Sequence, residues 1–260
     1  MLVYPQLATG ALGQFPIQKR RRTRTVVNQA ADGTSIKLGD PAAETIEWRL
    51  NYAGLSDAEL EALQQFFTAT EGSLQGFTFL DPTANLMSWS GQLDNAVWSR
   101  GSFLAVAGQG ADPLGGTNAW HASNSGAGPQ SICQTISAPG GYLYCLSAYA
   151  RADQPTTVTM LRGTDRADRA VGTEWSRIQF AGSGDAAATS MVFGLELPAH
   201  ATVDVFGLQV EPQGGASSYK AASLGGVYEG ARFRDDILSF TTTAVNCHSA
   251  TVNIIHASHL

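Results

Sequence analysis

The sequence is poor in several things, and each shortage excludes something. No window approaches the roughly 18 apolar residues that a membrane span needs. The opening MLVYPQLATGALGQFP has no basic region and no sustained apolar run, so no signal peptide is expected. Charged residues make up only 15% of the chain, and the net charge of −6 argues against a general nucleic-acid binder, which carries excess positive charge. Cysteine is scarce and odd in number: Cys133, Cys145 and Cys247, with no CxxC pair. A zinc knuckle or redox motif is therefore not expected, and a sparse count suits a reducing cytoplasm. A Cys133–Cys145 bridge is open, because it depends on geometry and not on spacing. There is no GxSxG, HExxH or P-loop.

What is present is mostly strand-like. The segment IQKRRRTRTVVNQ alternates loosely, and turn signals stand at Asp32-Gly33 and Gly39-Asp40-Pro41. In Glu44–Leu50 the period is two, placing Ile46, Trp48 and Leu50 on one face and Glu47 and Arg49 on the other. LSDAELEALQQFFTATEG gives the one strong helix signal, over 56–71. Ser56 is its N-cap, Glu59 completes a capping box, and Leu55 and Leu60 make a hydrophobic staple. Leu60, Leu63 and Phe67 form the apolar stripe, widened by Phe66, and Gly72 suits the position after the C-cap.

A strand at Phe77–Leu80 stops at Asp81-Pro82, and the texture changes there. Short apolar runs such as GYLYCLSAYAR, TTVTMLR, TSMVFGLEL and TVDVFGLQVEP follow, separated by Gly, Pro, Ser and Asp. With no helical stripe, these point to an antiparallel sandwich or barrel. The tail VYEGARFRDDILSFTTTAVNCHSATVNIIHA returns to the style of the first 82 residues. The expectation is a mainly β protein: one split domain of 1–83 and 224–260 with a single helix, interrupted by a β-sandwich at 84–223.

Two resemblances add to this. WRLNYAGLSDAELEALQQFFTATEGSLQGFTFLDP, followed late in the chain by YEGARFRDDILSF and a final strand, resembles a bacteriophage tail-tip component of the distal-tail type. That resemblance covers roughly 115 residues. It implies a tail-tube-like β domain forming a ring, usually hexameric, that joins the tail tube to the tip or baseplate. NLMSWSGQLDNAVWSR, GTEWSRIQF and VDVFGLQVEPQGGASSY resemble the carbohydrate-binding-like jelly rolls of phage tail proteins. ADPLGGTNAWHAS is only an approximate counterpart of the aspartate-glycine-threonine block many such relatives carry.

Together the resemblances imply a virion protein of the tail tip, assembled in the host bacterial cytoplasm. Its partners would be copies of itself, the tail tube protein, hub and tip proteins, and host surface polysaccharide. A gene transfer agent or tailocin would fit equally. No enzyme activity, cofactor, metal, sequence-specific nucleic acid or membrane insertion is expected. Two rivals stand beside this: a purely architectural tail protein that binds no sugar, and a polysaccharide-degrading tail enzyme.

Sugars present apolar CH faces that stack on exposed rings, though an aromatic in a sandwich is more often core. Trp98 and Trp175 are expected to be structural. Trp120, beside His121 and Asn124 in a Gly/Ser-rich segment, is expected to be exposed, and these three are the glycan-binding candidates. Lys19–Arg24 is a basic run in an acidic chain. Alternation puts Arg20, Arg22 and Arg24 on one face. With Trp48 they are the oligomer-interface candidates, and a DNA-facing row is a minor alternative. Asp235-Asp236 point to opposite faces of a strand and make no acid/base pair. Cys247-His248 are sequence neighbours, poor geometry for a nucleophile and its base. His248, His256 and His259 lack the carboxylate or spacing of a metal site. Calcium held by Asp112 or Asp153 lacks a DxDxDG loop to support it.

Overall fold

The computed structural model describes residues 2–257. It is 51% strand and 5% helix, so the mainly β class holds. The chain divides into two compact units. One consists of Met1–Leu7, Gly13–Phe79 and Tyr228–Leu260, the other of Ala8–Leu12 and Leu80–Val227.

The first unit holds β1 (Gln18–Gln29), β2 (Ser35–Leu55), α1 (Asp57–Ala69), β3 (Phe77–Leu80), β14 (Val227–Phe233), β15 (Ser239–Ala244) and β16 (Cys247–Ala257). These strands form a six-stranded sheet in the order β1-β2-β16-β14-β3, with β15 also on β16. The helix forms where its capping box predicts. Ser56 Oγ accepts from the Glu59 amide, and the Glu59 carboxylate accepts from the Ser56 amide. It buries Leu60, Leu63 and Phe66; Phe67 lies at the edge of that stripe. Both Glu71 (φ 50°) and Gly72 (φ 64°) take left-handed backbone after the C-cap Thr70.

Period-two burial in β2 puts Ile46, Trp48 and Leu50 inside, and β16 adds Ala250, Val252 and Ile254. The core is aromatic. Tyr4 meets Phe66 edge-on at 5.7 Å, and Trp48 meets Phe79 at 5.0 Å and Tyr228 at 4.7 Å.

Gly39-Asp40-Pro41 does not break the strand as its turn residues suggest; β2 runs through it. The disturbance appears instead in the ladder. Arg24 pairs with Asp40 and Arg22 with Thr45, so one residue of β1 faces four of β2. A proline has no N–H to give a ladder, and a bulge accommodates it.

The second unit is a sandwich of two antiparallel five-stranded sheets. Its strands are β4 (Ser99–Arg100), β5 (Leu104–Gly110), β6 (Ala119–Asn124), β7 (Gln130–Ile136), β8 (Tyr144–Arg151), β9 (Thr156–Arg162), β10 (Asp165–Val171), β11 (Ser176–Gly182), β12 (Met191–Leu197) and β13 (Thr202–Glu211). The sheet orders are β10-β9-β12-β7-β4 and β11-β8-β13-β6-β5. Tyr144, Leu146, Ala148 and Ala150 of β8 face inward with Phe193, Leu195, Val203 and Val205.

The two ends of this unit are fastened together. Asp81 N donates to Gly226 O, Gly226 N donates to Asn85 O, and buried Asn85 also bonds Leu208 O, the Met87 amide and the Val210 amide. The return segment 212–223 is held by Glu211, which is fully buried. Its carboxylate accepts from Lys220 Nζ (2.9 Å), the Ser217 amide (2.9 Å) and Gln209 Nε2 (2.7 Å).

Candidate functional site

The outer face of the β11-β8-β13-β6-β5 sheet gathers aromatic and hydrogen-bonding side chains from four strands and the turn before β11. Register makes the rows. Asp204 pairs with Arg151 on one side and His121 on the other, while Tyr149 pairs with Arg177 and Phe206. Arg151 Nε donates to Asp204 Oδ2 (3.0 Å), and its guanidinium lies 4.8 Å from the ring centre of Trp175. His121 Nδ1 is 2.9 Å from Asp204 Oδ1. Arg177 sits 5.3 Å over Tyr149 and donates to Ser147 Oγ.

Tyr149, Arg151 and Trp175 are half-buried and His121 is exposed. Further along the same sheet the face is covered: Ser147, Gln209, Glu211 and Cys145 are fully buried. Burial, then the Glu211 charge, pushes the Cys145 thiol up to about 11, against the pull of Arg177, so it is no nucleophile at neutral pH. At the open end, where β8 ends and β13 begins, lies a cavity of about 330 Å³ lined by Asp153, Gln154, Thr156, His200 and Thr202 among others. That volume falls in the range of small-ligand sites.

Of the three residues expected to bind glycan, only His121 is presented. Trp120 is 7% exposed, and its Nε1 donates to Gly91 O at 2.9 Å. Its ring is core, held by a residue whose approach nothing local in the sequence announces. Asn124 is buried too. Its Nδ2 donates to the carbonyls of Gly128, Leu197 and Pro198, and its Oδ1 accepts from the Gly126 amide, so it ties loops together. Trp98 is buried as expected. Trp175, expected to be structural, is the half-exposed ring instead. Tyr149, Arg151, Arg177 and Asp204 were missed. Outward alternation in β8 was readable, but the pairing of Asp204 with residues 83 and 53 positions away was not.

Asp112 has no oxygen to spare for calcium. Oδ1 accepts the amides of Leu114 and Gly116, and Oδ2 accepts the amide and side chain of Asn118. No three His, Cys, Asp or Glu side chains converge among the described residues, and His259 lies outside them. His248 is buried as a strut, with Thr242 Oγ1 on Nδ1 (3.0 Å) and Asp57 on Nε2 (2.7 Å). All three cysteines are free, so Cys133 and Cys145 are not bonded.

In the first unit, residues 24–29 of β1 and 35–40 of β2 pair only with each other among the described residues. This ribbon is closed by a turn at Asp32-Gly33, where Gly33 takes φ 86°. Both faces are open. Val26, Ile36 and Leu38 share one face by register, and Ile36 and Leu38 are 52% and 53% exposed. Arg21 pairs with Glu44 (3.0 Å), Arg22 with Glu47 (3.9 Å) and Arg24 with Asp40 (3.7 Å), all within the chain. Trp48 is 1% exposed, buried against Phe79 and Tyr228, so it cannot reach a partner as an interface residue.

No family model and no curated protein matches the sequence. Several solved structures are similar to about half of the chain. The enzymatically active domain of bacteriophage CBA120 tailspike protein 4 shares 16% identity over 51% of this chain, with a TM-score of 0.39; the match spans 22% of that chain. The CBM22-1 xylan-binding domain of Paenibacillus barcinonensis Xyn10C shares 14% identity over 51% of this chain and 96% of its own, at a TM-score of 0.41. The C-terminal family 22 carbohydrate-binding module of Clostridium thermocellum Xyn10B shares 14% over 53% and 98%, at 0.42. What those proteins bind or act on is said of them alone.

Proposed function

We propose that this chain is a structural component of the tail tip of a phage or phage-like particle. It assembles as a ring of identical copies joining the tail tube to the tip, and its sandwich unit binds host surface glycan without cleaving it. The observation that carries the assembly reading is the ribbon at 24–29 and 35–40. There β1 and β2 run on past the sheet with no third strand beside them among the described residues. A two-stranded ribbon gains little stability of its own in water, and this one also exposes an apolar stripe. Residues 18–40 carry Lys19, Arg20, Arg21, Arg22, Arg24 and Lys37 against Asp32 and Asp40, four excess positive charges. The chain's net charge is −6, so the remainder carries ten excess negative charges. A cationic, apolar arm on an acidic body suits docking onto the next copy, where burial of Ile36 and Leu38 supplies affinity and charge supplies register.

The glycan reading is supported by the outer sheet face. Trp175 and Tyr149 offer rings, and His121, Asp204 and Arg151 offer donors and acceptors beside them. Single sites of this kind bind weakly, and linked sites in a ring gain about 10²–10⁴ in avidity. Negative-stain images of the full chain are expected to show closed rings, and an array of host polysaccharides is expected to show retention that Trp175→Ala removes. Rings that ignore every host polysaccharide would leave the purely architectural reading. Release of reducing ends from those polysaccharides would make the protein an enzyme instead.

A further inference from the structure

The first unit carries a second feature, at the root of β1 and away from the apolar end of the ribbon. A cavity of about 140 Å³ opens on the sheet, lined by Gln18, Arg20, Glu47, Trp48, Arg49, Arg234 and Asn253. Register explains the cluster. Gln18, Arg49 and Asn253 are directly opposed across β1, β2 and β16, and Arg20 opposes Glu47 in the next row. Arg20 and Arg49 are therefore diagonal neighbours on one face. Like charges so placed repel unless something lies between them.

The carboxylate present does not serve them. Glu47 is taken by Arg234 (3.3 Å) and Arg22 (3.9 Å). Arg20 and Arg49 have no ion-pair partner among the described residues. Asn253 gives one amide hydrogen to Asp235 Oδ2 (3.3 Å) and keeps a second. Lys19 is turned to the other face, over Trp48 and Tyr228. The cavity thus holds two unmatched guanidinium groups and the side-chain amides of Gln18 and Asn253.

We propose that this cavity is an oxyanion site that takes one phosphate group. Planar guanidinium forks match phosphate oxygens, and two unmatched positive charges match a dianion. The volume is below that of drug-sized sites and has room for a single phosphoryl group. The group can come as free phosphate or as a phosphate monoester on a larger molecule. This inference does not rest on the ring or glycan readings.

The test is isothermal titration of the full chain with sodium phosphate and with glycerol phosphate, each against sodium chloride at matched ionic strength. Saturable binding of phosphate is expected. Arg49→Gln and Arg20→Gln should each weaken it about tenfold, the scale of one lost hydrogen-bonded charge contact. Arg166→Gln, which loses an exposed pair with Glu196 in the other unit, should leave it unchanged. Circular dichroism checks that each variant is folded, and two independent arginine variants guard against one that is not. Binding of both ligands upholds the site with a monoester source; binding of phosphate alone upholds it with the free ion. No saturable binding by either ligand, or wild-type affinity in the folded Arg49→Gln and Arg20→Gln variants, overturns it.

Discussion

Arg151 lies 4.8 Å over the ring of Trp175 while its Nε is bonded to Asp204. One residue thus holds an aromatic ring and an acidic acceptor at the same edge of the sandwich. A guanidinium pinned by a carboxylate keeps its ring partner in place, and a ring held in place loses less entropy when a sugar stacks on it. Trp175→Ala is therefore expected to remove glycan retention by about tenfold or more while leaving the melting temperature within about 2 °C, since the side chain is half-exposed. Calorimetric melting beside a polysaccharide pull-down checks both halves.

The opposite outcome is expected at Trp120. Its ring is core and its Nε1 bonds Gly91 O. Trp120→Ala should destabilise the sandwich by about 3–5 kcal/mol, from lost burial and the space left behind. Any loss of glycan binding should track unfolding and disappear when binding is measured at low temperature on the folded fraction. Denaturant melts of the full chain read the stability change directly.

Glu211 sets an acid limit. Burial alone would raise its pKa, but the Ser217 hydroxyl, the Lys220 ammonium and the Ser217 amide together outweigh it and hold the carboxyl below its ordinary value of 4.5. A depressed folded pKa means the unfolded chain binds the proton first. The contribution is complete above about pH 4.5 and is lost as the pH falls through the lower folded value. Glu211→Gln should cost about 2–3 kcal/mol at pH 7, less than a fully buried pair because Lys220 is one-third exposed. The mutant's stability should also fall less steeply between pH 5 and pH 3 than the wild type's, on the order of one ionisation's worth. Urea melts across that range measure it.

Gly10 packs on Leu143 inside the second unit with φ 80°, and an added Cβ would fall 2.3 Å from Leu143 Cδ2. Gly10→Ala meets both a left-handed backbone and a steric overlap, so a loss of about 1–3 kcal/mol is expected. Leu143→Ala in the same chain should recover part of it, and a double-mutant cycle by urea melting gives the recovery.

Local signals were readable in the sequence and long-range ones were not. Ser56 and Glu59 are three residues apart and cap the helix as read. Ile46, Trp48 and Leu50 alternate inward as read, which also removes Trp48 from any interface. The errors came where distant chain segments decide exposure. Trp120 sits among Gly and Ser, residues that usually mark an open loop, yet Gly91 covers its indole nitrogen. Trp175 resembled a structural word, yet it stands at a turn where Arg151, brought by another strand, leaves it half open. Gly39-Asp40-Pro41 read as a turn because its residue types suit one, but pairing with β1 absorbed them as a bulge. The charge excess of residues 18–40 was visible in the sequence; that no third strand among the described residues pairs with 24–29 or 35–40 was not.

The central claim is self-assembly through that ribbon, and light scattering of the full chain coupled to size exclusion tests it most directly. The account predicts a ring-sized mass that collapses to the monomer mass in an Ile36→Asp, Leu38→Asp double variant whose melting temperature is unchanged. A wild-type chain that stays monomeric at every concentration, or a double variant that assembles as the wild type does, would contradict it.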